Sequence, residues 1–211
     1  MKNTTAHHAL ALALLAAALA AGCLSVPRAQ QRAAAAQKRT FLPVATPAAP
    51  HATRFAALKV GAFRTLPPFD ARTFIVRRPG GECVGDFYNG WVAAPNDLIR
   101  GQAARYLAES ALFADVYDAA SAVCPPLALE GVVSDLALDY TGAQPAAVVT
   151  LRLLVLDGRA PAFTVLFSAE KTGRAPFDAA DKAAPAQAFG QALTQALADL
   201  TQALADAPLP R

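Results

Sequence analysis

The sequence predicts an α+β domain: a largely antiparallel sheet with two main helices packed on one face, preceded by a signal peptide and flexible tether. Three observations lead there. Beyond residue 127 the chain alternates apolar and polar side chains between turn signals. Near the end Phe189, Leu193, Leu197, Leu200 and Leu204 recur at helical spacing. Before residue 39 an unbroken apolar run gives way to a low-complexity stretch.

The N-terminus sets the compartment. Lys2, with His7 and His8, forms a positive lead, and Ala9 to Ala21 is an apolar run of 13 residues. A bilayer span takes roughly 20, so the run fits a signal-peptide core. It ends in Ala20-Ala21-Gly22-Cys23. Small residues before a cysteine resemble the bacterial lipobox, in which that cysteine becomes the new N-terminus and carries acyl chains such as palmitate. Ala20 stands where the motif usually has Leu, and Leu19 sits one residue early. An ordinary secretory signal cleaved near Ala21, with Cys23 as a spare thiol, is the other reading. Two or more acyl chains make a durable anchor, because each buried methylene contributes about 0.8 kcal/mol. Leu24 rather than Asp after the cysteine implies, by resemblance to lipoprotein sorting, the outer membrane.

The expected organisation is a signal peptide at 1–22, the lipidated Cys23 and linker at 23–38, and one domain at 39–211. Removing residues 1–22 costs one charge, Lys2, and leaves a net charge of +2. That is too weak to argue for nucleic acid. Residues 24–38 hold few large apolar groups, as a tether does.

The elements follow in order. "TFLPVA", 40–45, is a short extended segment, and "FAALKVGAF", 55–63, is a strand. "RTFIVRR", 72–78, is β-branched and aromatic; Pro79-Gly80-Gly81 turns it into "ECVGDFY", so 72–88 reads as a hairpin. Asn96 is the candidate N-cap of a helix to about Ser110 that buries Ile99, Ala103, Tyr106 and Leu107. "LFADVYD", 112–118, is a short strand. "LALEGVVSDLALDY", 127–140, is a long one whose alternation breaks near Val132-Val133, as at a bulge. "AAVVTLRLLVLD", 146–157, turns at Asp157-Gly158 into "PAFTVLFSAEK", completing an antiparallel meander. In that last strand Phe163, Val165 and Phe167 are expected inward, and Thr164, Leu166 and Ser168 outward. The final helix runs from about Ala183 to Ala205. Burying its five large apolar side chains contributes on the order of 10 kcal/mol as an upper bound.

Chemistry-bearing clusters are sparse. The mature chain keeps one histidine, His51, in a proline-rich lead-in that suits no Ser-His-Asp or Cys-His triad. HExxH, clustered Cys/His, P-loop and GxGxxG patterns are missing, so no metal site, no cofactor beyond the covalent lipid on Cys23 and no catalytic residue is expected. Asp135 and Asp139 stand four apart in one strand, over ~10 Å by strand rise, and are expected exposed. Cys83 and Cys124 would meet an oxidising compartment; a bridge would close a loop of about 40 residues and contribute roughly 4 kcal/mol. Two separate thiols are the alternative.

The segment "FIVRRPGGECVGDFYNGWVAAPNDLIRGQAARYLAESALFADV" resembles the ABC-type transport auxiliary lipoproteins, which include the PqiC-like subunits of MCE transport systems. The points of resemblance are the run Phe74-Ile75-Val76-Arg77, then Tyr88, then Trp91, Pro95, Leu98 and Ile99 opening a helix, then Leu107, Ser110, Phe113 and Val116. Phe41 stands where that family has Tyr just past the anchor, and the Cys83/Cys124 pair and the long alanine-rich tether are departures.

The resemblance implies a noncatalytic lipoprotein of the outer membrane facing the periplasm. Its partners would be an MCE-domain protein and an inner-membrane ABC transporter, with a homo-oligomer open. A structural or assembly lipoprotein of an envelope secretion or appendage machine is the competing class. Direct lipid carriage fits less well, because Thr150, Arg152, Thr164 and Ser168 make the free sheet face polar. Tyr88, Trp91 and Pro95 either staple the hairpin to the first helix or dock a partner.

Overall fold

The computed structural model describes residues 38–159 and 164–210. The compact unit is Arg39–Arg211. Eight strands form one mixed sheet: β1 (Arg39–Phe41), β2 (Phe55–Thr65), β3 (Thr73–Arg77), β4 (Cys83–Trp91), β5 (Phe113–Tyr117), β6 (Leu127–Asp139), β7 (Ala146–Asp157) and β8 (Val165–Pro176). Two helices, α1 (Pro95–Glu109) and α2 (Ala184–Asp206), pack on it. This is the α+β arrangement the patterning predicts.

The sheet forks at β6. β7 runs antiparallel along its whole length, from Leu127↔Asp157 to Asp139↔Ala146. On the other edge β2 lies parallel against Leu127–Val133, and β3 lies parallel against Ala137–Asp139. The branch from β2 ends in β5, and the branch from β3 continues through β4 to β1. The longest ladders are the antiparallel ones of the meander β6–β7–β8.

The helices bury what their spacing promises. Phe189, Leu193, Leu197, Leu200 and Leu204 are fully buried on α2. Gly173 on β8 lets that helix approach: a Cβ there would lie 1.8 Å from the Ala192 carbonyl oxygen. Ile99, Ala103, Tyr106 and Leu107 form the buried stripe of α1. Val149, Leu151, Leu153 and Val155 complete the same core from β7.

Several expectations shift. The cap of α1 is Ala94 with Pro95 in the first turn, not Asn96: proline's fixed φ suits that turn, and its missing N–H costs nothing there. The β6 bulge falls between Val133 and Asp135, one residue beyond the predicted break. A second bulge, at Leu166, changes the pattern of β8. Phe167 pairs with Val155 and Val165 with Leu156, so Val165 turns outward, 51% exposed, while Leu166 packs on the core. Phe163 lies outside the described residues. The tether and Cys23 lie outside them as well.

Candidate functional site

The motif that carries the resemblance is mostly core. Trp91 is 2% exposed, with ring centroids 4.4 Å from Phe74 and 4.8 Å from Phe189. Phe74 and Phe189 are 5.1 Å apart and Phe41 adds a fourth ring, 5.6 Å from Phe74. Four aromatics from β1, β3, β4 and α2 thus lock the hairpin onto the last helix. Pro95, Ile99, Leu107, Ser110 and Phe113 are buried too, and Leu98 and Val116 pack against them. The Ser110 hydroxyl donates to the Leu107 carbonyl at 2.7 Å, which closes α1. Trp91 and Pro95 are therefore packing residues, out of a partner's reach.

Tyr88 has the opposite fate. β3 and β4 slip register between Thr73↔Gly90 and Ile75↔Gly85, which leaves Asp86 to Asn89 as a bulge. The Asp86 carboxylate holds it: Oδ1 accepts the backbone N–H of Tyr88 at 2.8 Å and of Asn89 at 3.2 Å. Oδ2 accepts from the Asn89 side-chain amide at 2.7 Å, and the Thr73 hydroxyl donates to the Asp86 carbonyl. This frame displays Phe87, 77% exposed, and Tyr88, 53% exposed, as an edge-to-face pair 5.2 Å apart. Sequence reasoning passed over Phe87. Its signal was an Asp two residues before Tyr88, followed by Asn89-Gly90: turn chemistry inside a strand pattern.

The outer sheet face is a lattice of ion pairs. Arg77 donates to both oxygens of Asp135 at 2.8 and 2.7 Å, which raises its own pKa. Arg174 donates to Asp139 at 2.7 Å, where the Thr141 hydroxyl and backbone N–H also donate. Asp139 is buried, not exposed as expected, because the β6 bulge aligns it with these partners. Burial pushes its pKa up; the donors outweigh that and hold it at about 2. Arg152–Glu170 and Thr150–Thr172 continue the polar surface.

Cys83 and Cys124 are both free and exposed, so the expected bridge is corrected. Cys83 sits beside Arg77, whose register partner is Asp139 at one end of β6. Cys124 precedes the other end, Leu127. That strand separates them by about 40 Å, whereas a disulfide needs Cα atoms within about 7 Å. Among the described residues no three His, Cys, Asp or Glu side chains group as metal ligands. A shallow depression at His51 is lined by Ala52, Thr53, Arg54, Leu112 and Ala205, without a carboxylate or thiol. Among the described residues no helix is long and apolar enough to cross a membrane.

No family model and no curated protein matches the sequence. Solved structures do. The chain is similar to a DUF330-family protein of Xanthomonas campestris. The two are 26% identical, the match covers 77% of this chain and 90% of that one, and the TM-score is 0.60. A crystal structure of an uncharacterised protein matches at 11% identity over 75% of this chain and 99% of that one, with TM-score 0.59. A hypothetical protein of Chlamydia trachomatis matches at 8% identity over 72% of this chain and 96% of that one, with TM-score 0.51. The last two establish the shared fold alone.

Proposed function

We propose that this chain is a noncatalytic lipoprotein, anchored through Cys23 in the outer membrane and facing the periplasm. There it serves an intermembrane lipid transport system by docking an MCE-domain protein that works with an inner-membrane ABC transporter. The observation that carries the reading is the motif of residues 74–116. Its spaced residues, Trp91 through Val116, lie in or against one core. The lipobox-like run ending in Cys23 and the likeness to the DUF330-family structure support it. Docking in this reading uses surface groups, since Trp91 and Pro95 are sealed in.

Crosslinking the intact protein in its native envelope, with mass spectrometry of what is captured, tests the role. Capture of an MCE-domain protein is expected. Capture of secretion or cell-wall assembly proteins instead would retire the transport role and favour an assembly lipoprotein. Cys23→Ser is expected to move the protein from the membrane pellet to the soluble fraction, and its retention in the pellet would refute the anchor.

A further inference from the structure

After β1 the chain leaves the sheet, and residues 42–46 cross as a strap between α1 and α2, which hardly touch each other directly. The side chains of the strap alternate. Pro43 and Ala45 are buried, whereas Leu42 and Val44 face solvent, 50% and 51% exposed. Both backbone groups of Ala45 are held by α1: Gln102 Oε1 accepts its N–H at 3.1 Å, and Arg105 donates to its carbonyl at 2.6 Å. On α2 the Thr194 hydroxyl oxygen accepts the Thr46 N–H at 3.3 Å. Gly190 makes room for the Val44 carbonyl, since a Cβ there would lie 2.8 Å from that oxygen.

The clamp on the strap can be vacated without leaving a polar group stranded. Arg105 also donates to Gln102 at 2.9 Å and pairs with Glu109 at 3.3 Å, both within α1. With the strap gone, Gln102 and Arg105 keep these partners, so the desolvation cost of an unpaired buried group does not arise there. Leu42, Val44 and Thr46 already face water, and Ala45 carries little apolar surface. Phe41, 5.6 Å from Phe74, is the one large ring that would leave the core. The next fixed point along the chain is His51, whose N–H donates to the Ser110 carbonyl at 2.6 Å. Ala48, Ala49 and Pro50, just before it, are exposed.

We infer that Arg39–Thr46 is a releasable strap that stores a reserve of tether. This rests on the anchor reading above. When the strap leaves β4, α1 and α2, the chain up to His51 joins the linker that leads to the acylated Cys23. Residues 24–38 reach at most about 50 Å fully extended, and residues 39–50 add up to about 40 Å. The docked strap keeps the domain close to its membrane. The released strap lets the domain reach a more distant partner while the meander and both helices stay folded.

Native-state hydrogen exchange on the full mature chain reads the release, with Gly190→Ala as the variant. Alanine is favoured over glycine inside a helix, and the added methyl meets only Val44 backbone atoms. The substitution therefore pushes on the strap and spares α2. In the parent, the Ala45 and Thr46 amides are expected to exchange about a hundredfold faster than that of Leu197, through an opening of their own. Gly190→Ala is expected to speed them about tenfold more and leave Leu197 unchanged or slower. Pulling the chain by its two ends is expected to give a first lengthening of no more than about 40 Å before the core unfolds, at lower force in Gly190→Ala. Strap amides that exchange at the Leu197 rate, a variant in which strap and α2 quicken together, or a pull with a single transition each overturn the inference. The anchor is judged separately by Cys23→Ser. If that variant leaves the membrane while the strap opens only with the core, the strap fails and the anchor stands. If it stays in the pellet, the anchor reading fails, and the tether role with it.

Discussion

In the meander and α2, a side chain's position in the local repeat tells where it goes. Val149, Leu151, Leu153 and Val155 alternate into the core, and the five large residues of α2 follow the helical period to full burial. In the β3–β4 hairpin the same inference fails. Phe87 and Trp91 are four residues apart on one strand, so plain alternation would put them on one face, yet Trp91 is sealed among Phe74 and Phe189 while Phe87 is exposed. The difference is the Asp86–Asn89 bulge, which takes residues out of the ladder and resets which side chains face inward. Where pairing is continuous, composition reads directly as burial. Where a side chain competes for backbone N–H groups, as Asp86 does, it does not.

The widest test of that contrast is inside the hairpin. Trp91→Ala should lower unfolding stability by about 3–5 kcal/mol, because it opens a cavity among three rings. Tyr88→Ala should cost less than about 0.5 kcal/mol. Urea unfolding midpoints of the two variants check this, and similar losses would mean the bulge is part of the core. On the regular side, Leu197→Ala should cost about 3 kcal/mol, as for a fully buried leucine; a loss below ~1 kcal/mol would show that α2 contributes less than its burial implies.

The outer face offers an electrostatic test. Asp139 is held at about 2, below its ordinary 3.8. Its unfolded form therefore binds protons first as pH falls, so its contribution is complete above pH ~4 and is lost toward pH ~2. Partial exposure of Arg174 trims this to about 1–2 kcal/mol at neutral pH. Asp139→Asn should thus destabilise the protein at pH 7 and differ little from the parent near pH 2. Acid-dependent melting of both proteins measures the convergence, and a constant gap would place the effect elsewhere. The smallest effect belongs to the bulge itself. Asp86→Ala removes the acceptor of three donors on a half-exposed turn, so about 1 kcal/mol is expected. Amide hydrogen exchange should quicken at Tyr88 and Asn89 and leave the meander as it was; exchange that quickens throughout would mean the bulge governs the whole sheet.

How much was legible follows the same division. The hairpin, both helices, the meander and the Trp91–Val116 motif all rest on residues close in sequence, and these elements are present in the structure. For the candidate site, Tyr88 was singled out as a point of family resemblance and Phe87 was not, because the Asp86 turn that exposes both lies inside a strand pattern. The expected Cys83–Cys124 bridge failed for a similar reason. Loop length counts only residues 84–123 between the two cysteines; it carries no trace of the 13-residue strand β6 that follows them, near whose opposite ends the two thiols lie.

By itself, then, the sequence determined the α+β class, the buried stripe of each helix, the β6–β7–β8 meander and the polar outer face. Each is a periodicity carried within one element, and burial of an apolar stripe needs only some facing surface. The tertiary structure alone decided the fork at β6, the parallel seating of β2 and β3 on one edge, the outward turn of Val165, the ion pairs of Asp135 and Asp139, and the seating of β1 beside the Asp86–Asn89 bulge. Those depend on register between strands distant in the chain. A shift of one residue turns every side chain of a strand to the other face, and only the closed sheet selects which shift is made.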